Sequence, residues 1–258
     1  MRQNISSELL KMKKSSIRWL VVIAGFGLSF SVALFYIAGP EAYVSMGKNP
    51  WVSYIHFSLS LFSMGIFPLF VIVLTSSSIL IECQSNSWKS LFSLPIPKWH
   101  IMLGKLIAIF FMMLVVCSLF VISTVLIGYI VDCVVREYEF VYYDANISSF
   151  LLKVFRLFIV TLGILGVQFL FSVLFRNQLY PLVLGIILCI IGFMMSILEL
   201  RFTDFFPYSF PMVYEDFGIT NTGPEPGHAH FLGWIELMSL ICLMGCLVLA
   251  YQRFKRLR

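Results

Sequence analysis

Charge is scarce in this sequence. Asp, Glu, Lys and Arg supply 12% of its 258 residues, while 60% are hydrophobic. Soluble domains usually carry roughly twice that charged share. The apolar surplus exceeds what one soluble core can hide, so lipid must cover part of it. Signatures of catalysis are missing as well: there is no G-x-x-x-x-G-K-[ST] phosphate loop, no H-E-x-x-H and no G-x-S-x-G. The first absence excludes ATP binding in the P-loop manner. The others argue against an intramembrane hydrolase, since His56 stands alone in its apolar run. No Cys-x-x-Cys pair occurs among Cys83, Cys117, Cys133, Cys189, Cys242 and Cys246. Only Cys133 is expected to face an oxidising side, so no disulfide framework is expected. The net charge of +5 gathers on no long basic face, which argues against a nucleic-acid partner.

What is abundant is long apolar runs. A helix needs about 20 such residues to cross roughly 30 Å of hydrocarbon. Six runs qualify: 17–38, 52–81, 101–131, 150–175, 179–198 and 231–251. They predict an all-α polytopic membrane protein, one transmembrane domain over residues 1–258. The first run is too long for a signal-peptide core and no small-x-small cleavage site follows it, so it reads as an uncleaved anchor. The second and third exceed a simple span, which implies tilt or extension past the bilayer.

Loop charges set the expected orientation. With the N-terminus inside, all of the 18 basic residues except Lys48, Arg136, Lys153, Arg156 and Arg201 belong to cytoplasmic segments. The positive-inside bias therefore favours both termini in the cytoplasm. Residues 4–16 place Ile5, Leu9 and Met12 at helical spacing with Lys on other faces. They suit a short interfacial helix, or a frayed tail with basic anchors.

The loop between the second and third runs holds the most information. Ser85, Asn86 or Ser87 can cap a short helix, Trp88, Leu91, Phe92 and Leu94 give it an apolar side, and Pro95 and Pro97 end it. Two readings fit: a helix docked on a partner, or one lying on lipid with Trp88 in the interfacial belt.

This pattern resembles the ABC-2 type permeases. Glu82 at the end of the second span, a short helix near 87–94, the Leu94-Pro95-Ile96-Pro97-Lys98 turn and the Gly104-Lys105 pair carry the likeness. Members often have Gly near Ser87 and Ser near Pro97, so the helix boundaries differ here. Within the family, the Leu-Pro-Ile turn is most similar to the lantibiotic-immunity and peptide-antibiotic export group. The resemblance implies a bacterial cytoplasmic-membrane permease without its own ATPase. A separate ABC ATPase subunit would hold ATP and Mg, this chain would bind no cofactor, and a second permease copy or paralogue would complete the pore. Coupling to the ATPase would fall to Glu82, Ser87, Trp88, Lys89, Leu91, Phe92, Leu94, Pro95 and Lys98. The substrate would be amphipathic: a peptide antibiotic, a lipid-linked molecule or a drug.

Other residues are weaker candidates. The loop 199–230 is polar and proline-rich, and Phe205, Phe206, Tyr208 and Phe210 either dip into the membrane interface or form a plain aromatic belt. His228 and His230 form a His-x-His pair in a Gly- and Pro-rich turn, which is too few ligands for a metal site. Glu236 and Lys105 lie near span ends, where snorkelling to the interface is the expected outcome. Gln168, mid-span, suits packing between helices more than substrate contact. Phe205, Phe206, Gln168 and Glu236 together mark a candidate substrate path. A secondary transporter is the rival reading, beside a non-catalytic scaffold, but the two halves lack visible repeats and buried charge is sparse.

Overall fold

The computed structural model describes residues 17–39, 49–84, 98–135, 138–175, 177, 179–200, 202–213 and 233–256. Six helices are long and apolar enough to cross a membrane: Ile17–Ala38 (α1), Pro50–Ser78 (α2, whose helix continues to Gln84), Met102–Val134 (α3, starting at Lys98), Ile147–Leu174 (α4), Leu179–Ile197 (α5) and Trp234–Arg253 (α6, continuing to Arg256). No strand occurs among the described residues. The all-helical, six-span expectation holds. The predicted interfacial helix at 4–16, the helix near 87–94 and the His228–His230 pair lie outside the described residues.

Span ends shift by a few residues, and polar caps explain two of the shifts. Asn49 accepts a hydrogen bond from Trp51 N–H, and Pro50 occupies the first turn, where its missing N–H costs nothing. Asn146 likewise accepts from Ser149 N–H and starts α4 ahead of the apolar run. Asn49 Nδ2 also donates to the Asp144 carbonyl at 3.0 Å, tying the starts of α2 and α4 together. We call this the Asn49 end of the bundle. Gln84, Lys98 and the chain's two described ends gather at the other, the Gln84 end.

The Asn49 end is closed by aromatic packing. Trp51 Nε1 donates to the Phe140 carbonyl at 3.0 Å, and the two rings meet edge-on at 4.6 Å. A Cβ on Gly128 would stand 2.6 Å from the Trp51 ring, so only glycine fits there. Tyr54 packs edge-on against Tyr36, and the Tyr138 hydroxyl donates to the Tyr36 carbonyl. Such pairs stabilise by about 1 kcal/mol each beyond the area they bury.

Small residues set the helix contacts deeper in the bundle. In α4, a Cβ on Gly166 would lie 2.8 Å from the Leu243 Cα of α6. Ser239 Oγ accepts from Gly163 N–H and shares its own proton between the Ile159 and Val160 carbonyls, each at 2.8 Å. Lipid supplies no hydrophobic drive between helices, so close backbone approach and interhelical bonds hold α4 to α6. Ser29 of α1 meets Ser123 and Thr124 of α3 at 2.8 and 2.9 Å. Beside it, α1 contains a π turn at Ile23–Gly27, and the Gly25 carbonyl there accepts from Ser123 Oγ. A second π turn, Phe62–Ile66, interrupts α2, where Phe62 stacks on Phe120 at 4.0 Å. Isolated π turns are often found at functional positions.

Candidate functional site

The loop singled out from the sequence is reached by two long helices. The helix of α2 runs on to Gln84, beyond the span that ends at Ser78, and α3 begins at Lys98. The Lys98–Val134 helix has 37 residues, hence about 55 Å of length, against roughly 30 Å of hydrocarbon. Glu82 therefore sits in the last turn of one long helix and Lys98 opens the next. Their side chains, and Ser87, Trp88, Lys89, Leu91, Phe92, Leu94 and Pro95, lie outside the described residues.

Just inside this end, Lys105 corrects an expectation. It does not snorkel to the interface: only 3% of it is exposed, and its Nζ donates to the Ser78 carbonyl at 2.9 Å. An ammonium inside a bundle needs such acceptors, and a carbonyl near the end of α2 supplies one. The bond ties the two helices that lead into the loop. Glu236 does not snorkel either. It too is 3% exposed, and one carboxylate oxygen stands 2.5 Å from where a Cβ on Gly233 would lie. The carboxylate folds back over the start of α6, at the helix position where an acid meets the positive end of the dipole.

Gln168 makes three side-chain hydrogen bonds inside the bundle. It is fully buried. Its Nε2 donates to Ser76 Oγ of α2 at 3.0 Å and to the Pro181 carbonyl of α5 at 2.7 Å. Its Oε1 accepts from the Tyr208 hydroxyl at 3.0 Å. One amide thus joins α2, α4, α5 and the segment after α5. Glycine makes room for it, since a Cβ on Gly185 would lie 2.7 Å from that Oε1.

The segment 202–213 follows from this bond. It leaves α5 at the Asn49 end, yet Tyr208 reaches Gln168 well down α4. Residues Tyr208, Phe210, Met212 and Val213 are buried, and a Cβ on Gly192 would lie 2.7 Å from the Tyr208 carbonyl. The chain re-enters the bundle rather than lying on its rim. Of the candidate path residues, Phe205 is 62% exposed and Phe206 half-buried, while Gln168 and Glu236 are buried in different contacts, so the four do not converge on one surface.

A family model described as "ABC-2 family transporter protein" matches residues 4–192. The chain belongs to the ABC-2 transporter family. No curated protein and no solved structure matches it. The matched stretch takes in α1 to α4, the 85–97 loop and most of α5. In an ABC-2 membrane protein that loop joins the two long helices described above, and membership implies an ABC ATPase as partner and the membrane as setting. The chain is accordingly the permease component of an ABC transporter, a multi-pass membrane protein.

Proposed function

We propose that this permease exports an amphipathic substrate, driven by a separate ATPase that holds ATP and Mg and docks on the Gln84 end. The observation that carries the reading is the family match across a loop set on two helices that outrun the bilayer. A rigid pair of helices leaving one loop can carry motion from a docked subunit into the spans. Trp88, Leu91 and Phe92 are the docking anchors, as aromatic and large apolar side chains usually are at interfaces. Ser87, Leu94 and Pro95 bound the docking helix, and Glu82, Lys89 and Lys98 form its polar rim. The Gln84 end then faces the cytoplasm, in keeping with its share of Lys and Arg. A second permease copy or paralogue completes the pore, in a bacterial cytoplasmic membrane. Among amphipathic substrates, peptide antibiotics fit the Leu94-Pro95-Ile96 likeness to immunity-type permeases.

The test is co-purification of the permease with candidate ABC ATPases from the same cell. Trp88→Ala with Leu91→Ala is expected to lower ATPase recovery by about tenfold, with the permease still inserted. Unchanged recovery and transport would overturn the docking role.

A further inference from the structure

The caps that start α2 and α4 are tied together through Asn49 and the Asp144 carbonyl. Counting from each cap, His56 stands seven residues past Asn49 and Lys153 seven past Asn146. Both therefore lie about 10 Å down their helices, at one depth. They are also near enough for the Lys153 charge to be felt at His56. Around them each helix carries a polar stripe at helical spacing: Ser53, His56 and Ser60 on α2, and Ser149, Lys153 and Arg156 on α4. All but the exposed Ser53 are half-buried, open to one side of the bundle.

Among the described residues the cations here have no counter-charge beside them. Spans Pro50–Ser78 and Ile147–Leu174 contain no Asp or Glu. Asp144, on the connection before α4, and Asp132, in the last turn of α3, each turn a carboxylate oxygen to a backbone N–H, those of Asn146 and Phe140. Among the described residues neither Lys153 nor Arg156 has an ion-pair partner. Like charges side by side at membrane depth are costly unless an anion joins them. Ser53 and Ser60 already donate to the Pro50 and His56 carbonyls, so among the described residues the cationic donors left for a ligand are those of Lys153 and Arg156. The flanking surface is apolar and exposed: Val52, Leu151, Leu152 and Phe155.

We propose that the polar stripes of α2 and α4 bind an anionic amphiphile, its phosphate or carboxylate held by Lys153 and Arg156 beside His56 and its tail along Leu151 and Phe155. Arg supplies a planar fork for such a head group and Lys a point charge. As a substrate site, this surface rests on the exporter reading above. Binding is measured on the permease chain alone, so the two ideas fail separately.

The experiment is native mass spectrometry of the full chain in maltoside detergent, titrated with phosphatidylglycerol or phosphatidylcholine. Wild type is expected to retain phosphatidylglycerol about tenfold better. Dodecyl phosphate should compete and inorganic phosphate should not. Lys153→Gln with Arg156→Gln should abolish the preference, while Arg18→Gln, which removes a like charge at the opposite end, should leave it intact. If the double variant fails to fold, Lys153→Gln alone carries the test, with about threefold loss expected. Equal retention of the two lipids by wild type, or an unchanged preference in the folded variant, would show annular lipid only and overturn the site. Competition by inorganic phosphate as strong as by dodecyl phosphate would overturn the amphiphile and leave a free-anion site.

Discussion

The Tyr208 hydroxyl donates to Gln168 Oε1 at 3.0 Å, and through that one amide the segment after α5 is bonded to a helix it never follows in sequence. Gln168 continues the connection to Ser76, two residues before Ser78, whose carbonyl holds Lys105. A chain of polar contacts thus runs from the re-entrant segment to the helices that bracket the 85–97 loop. Removing its members should be felt unequally.

Tyr208→Phe deletes one hydrogen bond and should cost about 1 kcal/mol, whereas Gln168→Leu strands the partners of three bonds and should cost about 3 kcal/mol. Thermal unfolding of the detergent-solubilised chain measures both. In the double variant the two losses should fall short of additive, because the Tyr208→Phe change has already removed the hydroxyl that Gln168→Leu would leave without an acceptor. Strict additivity would mean that the bond contributes nothing.

Gly192→Ala should be more damaging than its size suggests. The new methyl would sit 2.7 Å from the Tyr208 carbonyl, against backbone that cannot swing aside. A loss of about 2 kcal/mol is expected, together with faster protease cleavage within 202–213. Gly65→Ala, which meets nothing within 4 Å, is the control and should be close to neutral.

Trp51→Phe tests the closed Asn49 end. The edge-on ring contact with Phe140 survives in part, but the Nε1 bond to its carbonyl is lost, leaving that acceptor the Tyr143 N–H alone. About 1 kcal/mol of destabilisation should follow, and solvent protection of the Phe140 and Tyr142 amides should fall in hydrogen exchange.

Orientation is open to direct measurement. Cys133 is exposed near the Asn49 end, and Cys83 lies in the last turn of the α2 helix at the other. A membrane-impermeant maleimide applied to intact cells should label Cys133 and spare Cys83, with both labelled after permeabilisation. The reverse pattern would place the 85–97 loop outside and remove any role for it in docking an ATPase.

Hydropathy made the six helices legible, because crossing hydrocarbon demands a long uninterrupted apolar run and little else in the sequence competes with that signal. Their ends were less so. Helices α2 and α4 start at Asn49 and Asn146, and α4 then carries Ser148 and Ser149 before its first bulky buried residue, Phe150, so an apolar count begins late. The burial of Lys105 and Glu236 was not legible, since it depends on the Ser78 carbonyl and on Gly233 being where they are in space. Nor was the depth of Tyr208, which needs Gly185 and Gly192 of one helix and Gln168 of another to leave a slot of the right width. The pairing of His56 with Lys153 left a trace, in the equal counts from two Asn caps, but only a known link between the caps gives those counts meaning. Residues of the docking loop remain readable from sequence pattern and family membership.

The π turns in α1 and α2 behave as dislocations do in a metal. Each stores one surplus residue in an otherwise regular ladder, and moving the defect along by one step exchanges a single hydrogen bond for another. Each residue it passes turns by about 100° and shifts about 1.5 Å along the axis, while the helix as a whole keeps its length. Two rods threaded through a tight array can thereby twist in small increments, with their neighbours hardly parted, instead of breaking contact all at once.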